Sequence, residues 1–199
     1  MIKQAKFVIS VADADKIPDY SAPEIAIAGK SNVGKSSFIN FMTNQNKLAK
    51  TSSEPGRTRL INFFEINKGE YYFVDLPGYG YARVNKTEKQ KWGGLIEGYL
   101  QSSPNLINVF MLVDVRHEPT EDDKIMVKYL YSTGTPFTLI ATKADKLSRA
   151  QQTKARRVIA NAFGVGPSDI ILTSATAKTG KEEVLARIDR LLENTVKPE

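Results

Sequence analysis

The chain has no cysteine and only one histidine, His117, among its 199 residues. Lack of cysteine excludes structural disulfides, thiolate-bound zinc, iron–sulfur clusters and thiol nucleophiles, and a lone histidine excludes a histidine-rich metal site. Long apolar runs are missing too. Even the stretch 106–115 is interrupted by Asn108 and Asp114, so nothing approaches the roughly 18 apolar residues of a membrane-spanning helix. Residues 1–15 carry an apolar run from Phe7 to Ala12, too weak and too soon followed by acids for a secretory signal. A soluble cytoplasmic protein is expected.

What is present is ordinary for a globular domain, with 41% hydrophobic and 25% charged residues. A chain of this length folds as one unit that buries about 70% of the surface exposed by the unfolded chain. We therefore expect one domain over 1–199, with a short N-terminal extension over 1–22. Lysine and arginine number 28 against 22 acids, a net charge of +6, and the pI is near 9.4. That surplus fits either an anionic partner such as nucleic acid or a solvated basic surface.

Short apolar runs alternate with stretches of helical spacing, which predicts an α/β architecture around a mainly parallel sheet. The runs are 24–29, 60–66, 71–76, 106–115, 136–142 and 169–173. Asn67-Lys68-Gly69-Glu70 joins the second run to the third, a short polar connection that predicts an antiparallel hairpin and hence one reversed strand. Val184, Leu185, Ile188, Leu191 and Leu192 form a helix stripe after the capping-box pattern Thr179-x-x-Glu182. Ile125, Met126, Tyr129 and Leu130 repeat the spacing after Thr120-x-x-Asp123, as do Val158, Ile159, Ala162 and Phe163, and all are expected in the core. The polar stretch 43–59 has no period, and such a loop is usually functional or mobile.

The chemistry concentrates at the ends of the runs. Gly29-Lys30-Ser31-Asn32-Val33-Gly34-Lys35-Ser36 matches G-x-x-x-x-G-K-[ST], follows a strand and enters the helical stripe of Phe38, Ile39, Phe41 and Met42. There the backbone amides can converge on phosphate oxygens at the positive end of a helix, Lys35 can reach the β- and γ-phosphates, and the Ser36 hydroxyl can ligate Mg²⁺. Asp75-Leu76-Pro77-Gly78 ends the third run, where an acid can support Mg²⁺ through water and the Gly78 amide can sense a γ-phosphate. Thr142-Lys143-Ala144-Asp145 follows the fifth run. One carboxylate there can accept both donors of guanine, while the Lys143 stem covers a face of the base. Thr173-Ser174-Ala175 closes the last run with small residues whose amides can approach guanine O6.

In this order, each at a strand's carboxyl end, the four signals resemble the Ras-like P-loop GTPases, a three-layer α/β/α fold with a mixed, mainly parallel sheet. That resemblance implies that Thr58, within Pro55-Gly56-Arg57-Thr58, binds Mg²⁺ when GTP is present. The likeness is closer still to the EngB-type bacterial GTP-binding proteins, also called YihA or YsxC. It rests on the 31–40 stretch including Ser37, on Thr51-Ser52-Ser53-x-Pro55-Gly56-x-Thr58, on Asp75-x-Pro77-Gly78-Tyr79-Gly80-Tyr81 and on the 142–145 motif. It implies a Mg²⁺-dependent GTPase that binds GTP and GDP and supports assembly of the large ribosomal subunit, meeting ribosomal RNA and proteins of its precursor. Loss of such proteins is associated with defective division and septation. A monomer is expected.

Three departures from the Ras pattern bear on mechanism. Tyr79 stands where Ras-like hydrolases carry a water-orienting glutamine, so slow intrinsic hydrolysis is expected. Asn32 occupies a position at which related GTPases coordinate K⁺ against the phosphates, so K⁺ is expected to stimulate turnover with Lys35, Thr58 and Asn32 as the catalytic set. The alternative for Asn32 is a turn-forming residue. Thr142 replaces the usual asparagine, and its shorter side chain is expected to loosen the tie to the phosphate loop. The segment 76–100 combines Gly78, Gly80, Gly93, Gly94 and Gly98 with Tyr79, Tyr81, Trp92 and Tyr99, alongside Lys86, Lys89 and Lys91. It reads as a switch that offers a surface to RNA or protein, or as aromatics packed on the core. Lys154, Arg156, Arg157, Lys178, Lys181, Arg187 and Arg190 are expected on helices, as solvated faces or RNA contacts. Asp114, Arg116 and His117 receive no catalytic role.

Overall fold

Strands that are covered on both faces are mostly apolar, and the central runs of this sequence are, with Glu24, Asn108 and Thr138 as buried polar exceptions. The protein is seen here as a computed structural model that describes residues 1–50, 60–80 and 86–195, with 86–92 described by backbone alone. In chain order the elements are β1 (Ala5–Val11), β2 (Glu24–Gly29), α1 (Lys35–Thr43), β3 (Ile61–Ile66), β4 (Tyr71–Asp75), α2 (Lys86–Ser102), β5 (Leu106–Asp114), α3 (Glu121–Ser132), β6 (Phe137–Thr142), α4 (Arg149–Phe163), β7 (Ile170–Leu172) and α5 (Lys181–Glu193). The sheet order is β1-β3-β4-β2-β5-β6-β7. Only β3 is reversed, antiparallel to both β1 and β4, and the other pairings are parallel. The expected mixed sheet with one reversed strand is what forms.

The two sheet faces carry separate cores. Ile25 and Ile27 face α1 and α5, where Phe38, Ile39, Met42, Val184, Leu185 and Ile188 are buried with them. Ala26 and Ala28 face the opposite way, with Leu95 and Tyr99 of α2, Val127 and Leu130 of α3, and Ile159 and Phe163 of α4. The β2 alternation of large and small residues thus sets α1 and α5 on one side and α2–α4 on the other. No helix among the described residues is long and apolar enough to cross a membrane.

The N-terminal extension is part of the sheet. Residues 5–11 pair with β3 along its full length. Their register is pinned by Asn67, whose Oδ1 accepts from the Lys3 and Gln4 amides and whose Nδ2 donates to the Met1 carbonyl. Asn67 and Lys68 adopt left-handed φ of 50° and 62°, the backbone that a tight hairpin of this twist requires.

Three local expectations are corrected. α5 begins after Gly180, not under a Thr179 cap, because Thr179 pairs main chain to main chain with Ser174 in both directions at 3.1 Å. Ile125 is 65% exposed and Ala162 is exposed too, so the α3 core is Val127 and Leu130 and the α4 core Ile159, Ala160 and Phe163. Lys178 lies outside the helices in a left-handed turn (φ 54°), and Lys181 donates to the Phe41 carbonyl and Asn44 Oδ1 at 2.8 Å, closing the C-terminus of α1.

Tyr99 belongs to the core reading of the 76–100 segment. Its ring is fully buried, and its hydroxyl donates to Glu24 Oε2 at 2.7 Å, where the Ser103 hydroxyl also donates at 2.8 Å. This anchors the C-terminal part of α2 to the start of β2 through a carboxyl that burial pushes above its ordinary range. Tyr81 lies outside the described residues, and Trp92 falls in α2 with its side chain outside them.

Candidate functional site

Parallel strands all end on one edge of the sheet, and the loops leaving β2, β4, β5, β6 and β7 meet there. The first of these loops turns from Gly29 into α1. Its last residue, Gly34, is the N-cap of α1 at φ 111°, and no side chain caps that helix. Gly34 has no side chain with which to cap the first amides of α1, which lie at the end where the helix dipole is positive. Asn32 sits at φ 63°, a left-handed position that asparagine tolerates better than most residues. That geometry supports the turn-forming alternative for its residue type.

Asp75 closes β4, between Asn62 of β3 and Ile27 of β2. It is buried, and its Oδ1 has no hydrogen-bond partner among the described residues. Burial pushes the carboxyl up to about 6, opposed by the Lys35 ammonium and by a hydrogen bond from Asn62. An unpartnered buried carboxylate oxygen beside a lysine fits a hard cation that binds oxygen ligands. Among the described residues no group of three or more His, Cys, Asp or Glu could hold a metal by itself, so such a cation would draw on hydroxyl, water and phosphate oxygens as well. Ser36 stands in the first turn of α1. Gly56, Arg57 and Thr58 lie outside the described residues.

The segment after Asp75 runs directly across the glycine loop. A Cβ on Gly78 would lie 3.0 Å from Lys35 Nζ and 3.1 Å from Ser31 Cα. The Ser31 amide donates to the Tyr79 carbonyl at 2.9 Å. The Tyr79 side chain is engaged elsewhere: its hydroxyl donates to Asp123 Oδ1 at 2.8 Å. Asp123 Oδ2 in turn accepts from the amide and hydroxyl of Thr120, the expected α3 capping box. Residue 79 is thus tied to the start of α3, and its burial beside Asp123 pushes the phenol well above its usual range.

The β6 loop closes the other side. Contrary to the expectation of a loosened tie, the Thr142 hydroxyl reaches the Val33 carbonyl at 2.8 Å. Threonine is long enough because the glycine loop passes close to the end of β6. Lys143, at φ 61°, donates from Nζ to the Asn32 carbonyl at 2.9 Å. The Ala144 amide donates to the Thr173 carbonyl at 3.1 Å, and the Ser174 hydroxyl to Asp145 Oδ1 at 2.5 Å. The Ser174 hydroxyl, with Lys146 3.3 Å from Oδ2, holds the Asp145 carboxyl below its ordinary range. Ser37 and Ala175 line one open groove of about 940 Å³, alongside Phe41, Lys178 and Lys181. The stretches 29–36, 75–78, 142–145 and 173–175 thus each lie at or just beyond the carboxyl end of a strand.

Two groups at the site have no role in the sequence reading, Gln152, which it does not name, and Asp114, which it names without one. Gln152 of α4 donates to the Ala144 and Leu147 carbonyls at 2.8 and 3.0 Å, holding the base loop from beneath. Asp114 accepts from Lys143 Nζ at 2.9 Å. Its place at the end of a central strand was the available signal.

Comparison with known proteins follows the same lines. The family model described as "50S ribosome-binding GTPase" matches residues 24–143. The protein called "Probable GTP-binding protein EngB" in Desulfosudis oleivorans is 46% identical over 191 residues, covering 96% of both chains. Its namesake in Clostridioides difficile is 48% identical over 188 residues, 94% of this chain and 92% of the relative. The crystal structure of a probable GTP-binding protein engB superposes with a TM-score of 0.72 at 24% identity, covering 86% of this chain and 99% of that one. Era of Aquifex aeolicus, bound to GDP and an aluminium fluoride, gives 0.70 at 20% identity, over 89% of this chain and 58% of that one.

Proposed function

The chain belongs to the EngB family of GTP-binding proteins, in the GTPase superfamily, and from that premise we propose that it is a slow, Mg²⁺-dependent GTPase acting as a nucleotide switch in assembly of the large ribosomal subunit. The convergence of the Gly29–Ser36 loop, Asp75 and Asp145 on one sheet edge carries this reading. Lys35 and the loop amides bind the phosphates, with Gly78 beside them to register the γ-phosphate. Asp145 accepts from guanine, and the Thr173–Ala175 amides approach its O6. Ser36 and Asp75, with Thr58 from beyond the described residues, would hold Mg²⁺, which neutralises phosphate charge when bound. One GTP-binding domain spans the chain, and residues 1–22 supply its edge strand.

The geometry at residue 79 supports the reading of slow hydrolysis. A water-orienting side chain must be free to face the γ-phosphate, whereas the Tyr79 hydroxyl is bonded to Asp123 and carries no amide. A slow hydrolase suits a switch, because the triphosphate state lasts long enough to be read. The net charge of +6 favours an RNA-rich target, and the matching family is described as ribosome-binding. We place the protein in the cytoplasm, as a monomer, and its division and septation role downstream of ribosome assembly.

The test is co-sedimentation with large-subunit precursor particles in three states: nucleotide-free, GDP and a non-hydrolysable GTP analogue, each with Mg²⁺. Pelleting is expected to be at least about fivefold greater with the analogue than with GDP, as couplings of 1–3 kcal/mol give. Equal pelleting in all three states, or none, contradicts the switch.

A further inference from the structure

Among the described residues, Asp114 accepts four hydrogen bonds at the edge of the site. It ends β5, the strand that lies between β2 with its glycine loop and β6 with its base loop, and it is in register with Thr142. Arg116 wraps it: the Arg116 amide donates to Oδ1 at 3.1 Å, its Nε to Oδ1 at 2.9 Å and its Nη2 to Oδ2 at 2.7 Å. The fourth donor is Lys143 Nζ, 2.9 Å from Oδ2. The same ammonium donates to the Asn32 carbonyl of the glycine loop at 2.9 Å. One lysine therefore bridges the two loops, and its second anchor is a carboxylate that a bidentate arginine holds in place.

We infer that Asp114 is a positioning residue for guanine-nucleotide binding, acting through Lys143, with Arg116 fixing the carboxylate. A lysine side chain on a four-carbon stem loses considerable rotamer freedom when held in one place. Here Lys143 is held by protein groups on both sides, the Asn32 carbonyl and the Asp114 carboxylate, so that ordering does not fall on nucleotide binding. Bidentate arginine geometry makes the Asp114 carboxylate a rigid post, and the Arg116 and Lys143 bonds hold it well below the usual carboxylate range. Without the carboxylate charge, Lys143 keeps the Asn32 carbonyl and at best a neutral amide oxygen, so part of the ordering cost returns to the binding step and the dwell time of bound nucleotide shortens. The inference rests on the reading of Lys143 as the cover of the base.

Release of fluorescently labelled GDP, chased by excess unlabelled GDP in Mg²⁺, tests both levels. Asp114→Asn is expected to speed release about three- to tenfold, since one immobilised side chain is at stake. Arg116→Gln, which keeps the carboxylate and removes two of its donors, is expected to act in the same direction with smaller size. The decisive arm is the double variant: adding Asp114→Asn to Lys143→Ala is expected to change nothing further. A general structural role would speed release equally in both backgrounds, and that result overturns the inference, as does Asp114→Asn releasing GDP at the wild-type rate. If Lys143→Ala itself releases GDP at the wild-type rate, the base-covering reading fails as well. Melting curves of the nucleotide-free variants separate these outcomes from misfolding, and Arg116→Gln serves where Asp114→Asn melts early.

Discussion

Asp145→Asn is expected to weaken GDP binding by about a hundredfold or more, while moving the melting temperature of the nucleotide-free protein by only about 2 °C. Guanine presents two donors side by side, the ring N1–H and the 2-amino group, and a carboxylate accepts both. Asparagine keeps one acceptor and turns an NH₂ toward the second donor. Hydrogen bonds to a charged partner contribute about 1.5–3 kcal/mol each, and the stranded donor adds a desolvation cost. A loss of about 3 kcal/mol follows, which is two decades in affinity. The wild-type carboxylate is well prepared for the task. The Ser174 hydroxyl and Lys146 both lower its pKa, so it is ionised at neutral pH. Fluorescence or calorimetric titration of the variant checks this; GDP binding at wild-type strength would mean that another group reads the base.

Gly180→Ala is expected to be the most damaging single-methyl change in the described chain. Its φ is +80°, and an added Cβ would lie 2.1 Å from the Leu172 carbonyl oxygen, which is main chain of β7 and cannot step aside. Left-handed backbone costs an alanine about 1–2 kcal/mol, and overpacking typically adds about 1–3. Together these come to about 2–5 kcal/mol, or roughly 5–15 °C in melting temperature for a chain of this size. The shift is directed at the site, because Thr173 and Ser174 lie just beyond Leu172. Gly164 supplies the control: its φ is +69° with nothing within 4 Å of the would-be Cβ, so Gly164→Ala should show the backbone cost alone. Equal melting temperatures for the two variants would show that β7 yields at Leu172.

The difference between those glycines cannot be read from a sequence, and the same is true of much that surrounds the site. The loop motifs were legible because each is a local spacing whose backbone requirement is met within eight residues. The central strands were legible because burial on both faces leaves an unbroken apolar run, as in Ile25 to Ala28. β1 was not, since an edge strand leaves apolar side chains in solvent and its short run from Phe7 carries no burial pattern: Phe7 is 49% and Ile9 41% exposed. Tyr99 read equally well as a stacking surface until its partner Glu24 appeared, 75 residues away. Asp114 and Lys143 are 29 residues apart and meet only because β5 and β6 are adjacent. The Thr179 cap failed for a related reason, a main-chain pairing with Ser174 that competes with helix initiation. Thr142 kept its tie to Val33 because the distance between two loops, which no motif encodes, is short.

All of this depends on a site at the sheet edge that takes guanine nucleotides and refuses adenine ones. Calorimetric titration of the purified wild-type protein with GDP and with ADP, each in excess Mg²⁺, tests it most directly. Saturable heat at one site with GDP, and none with ADP at the same concentrations, is the expected result. No heat with GDP, or matching isotherms for the two, would contradict it.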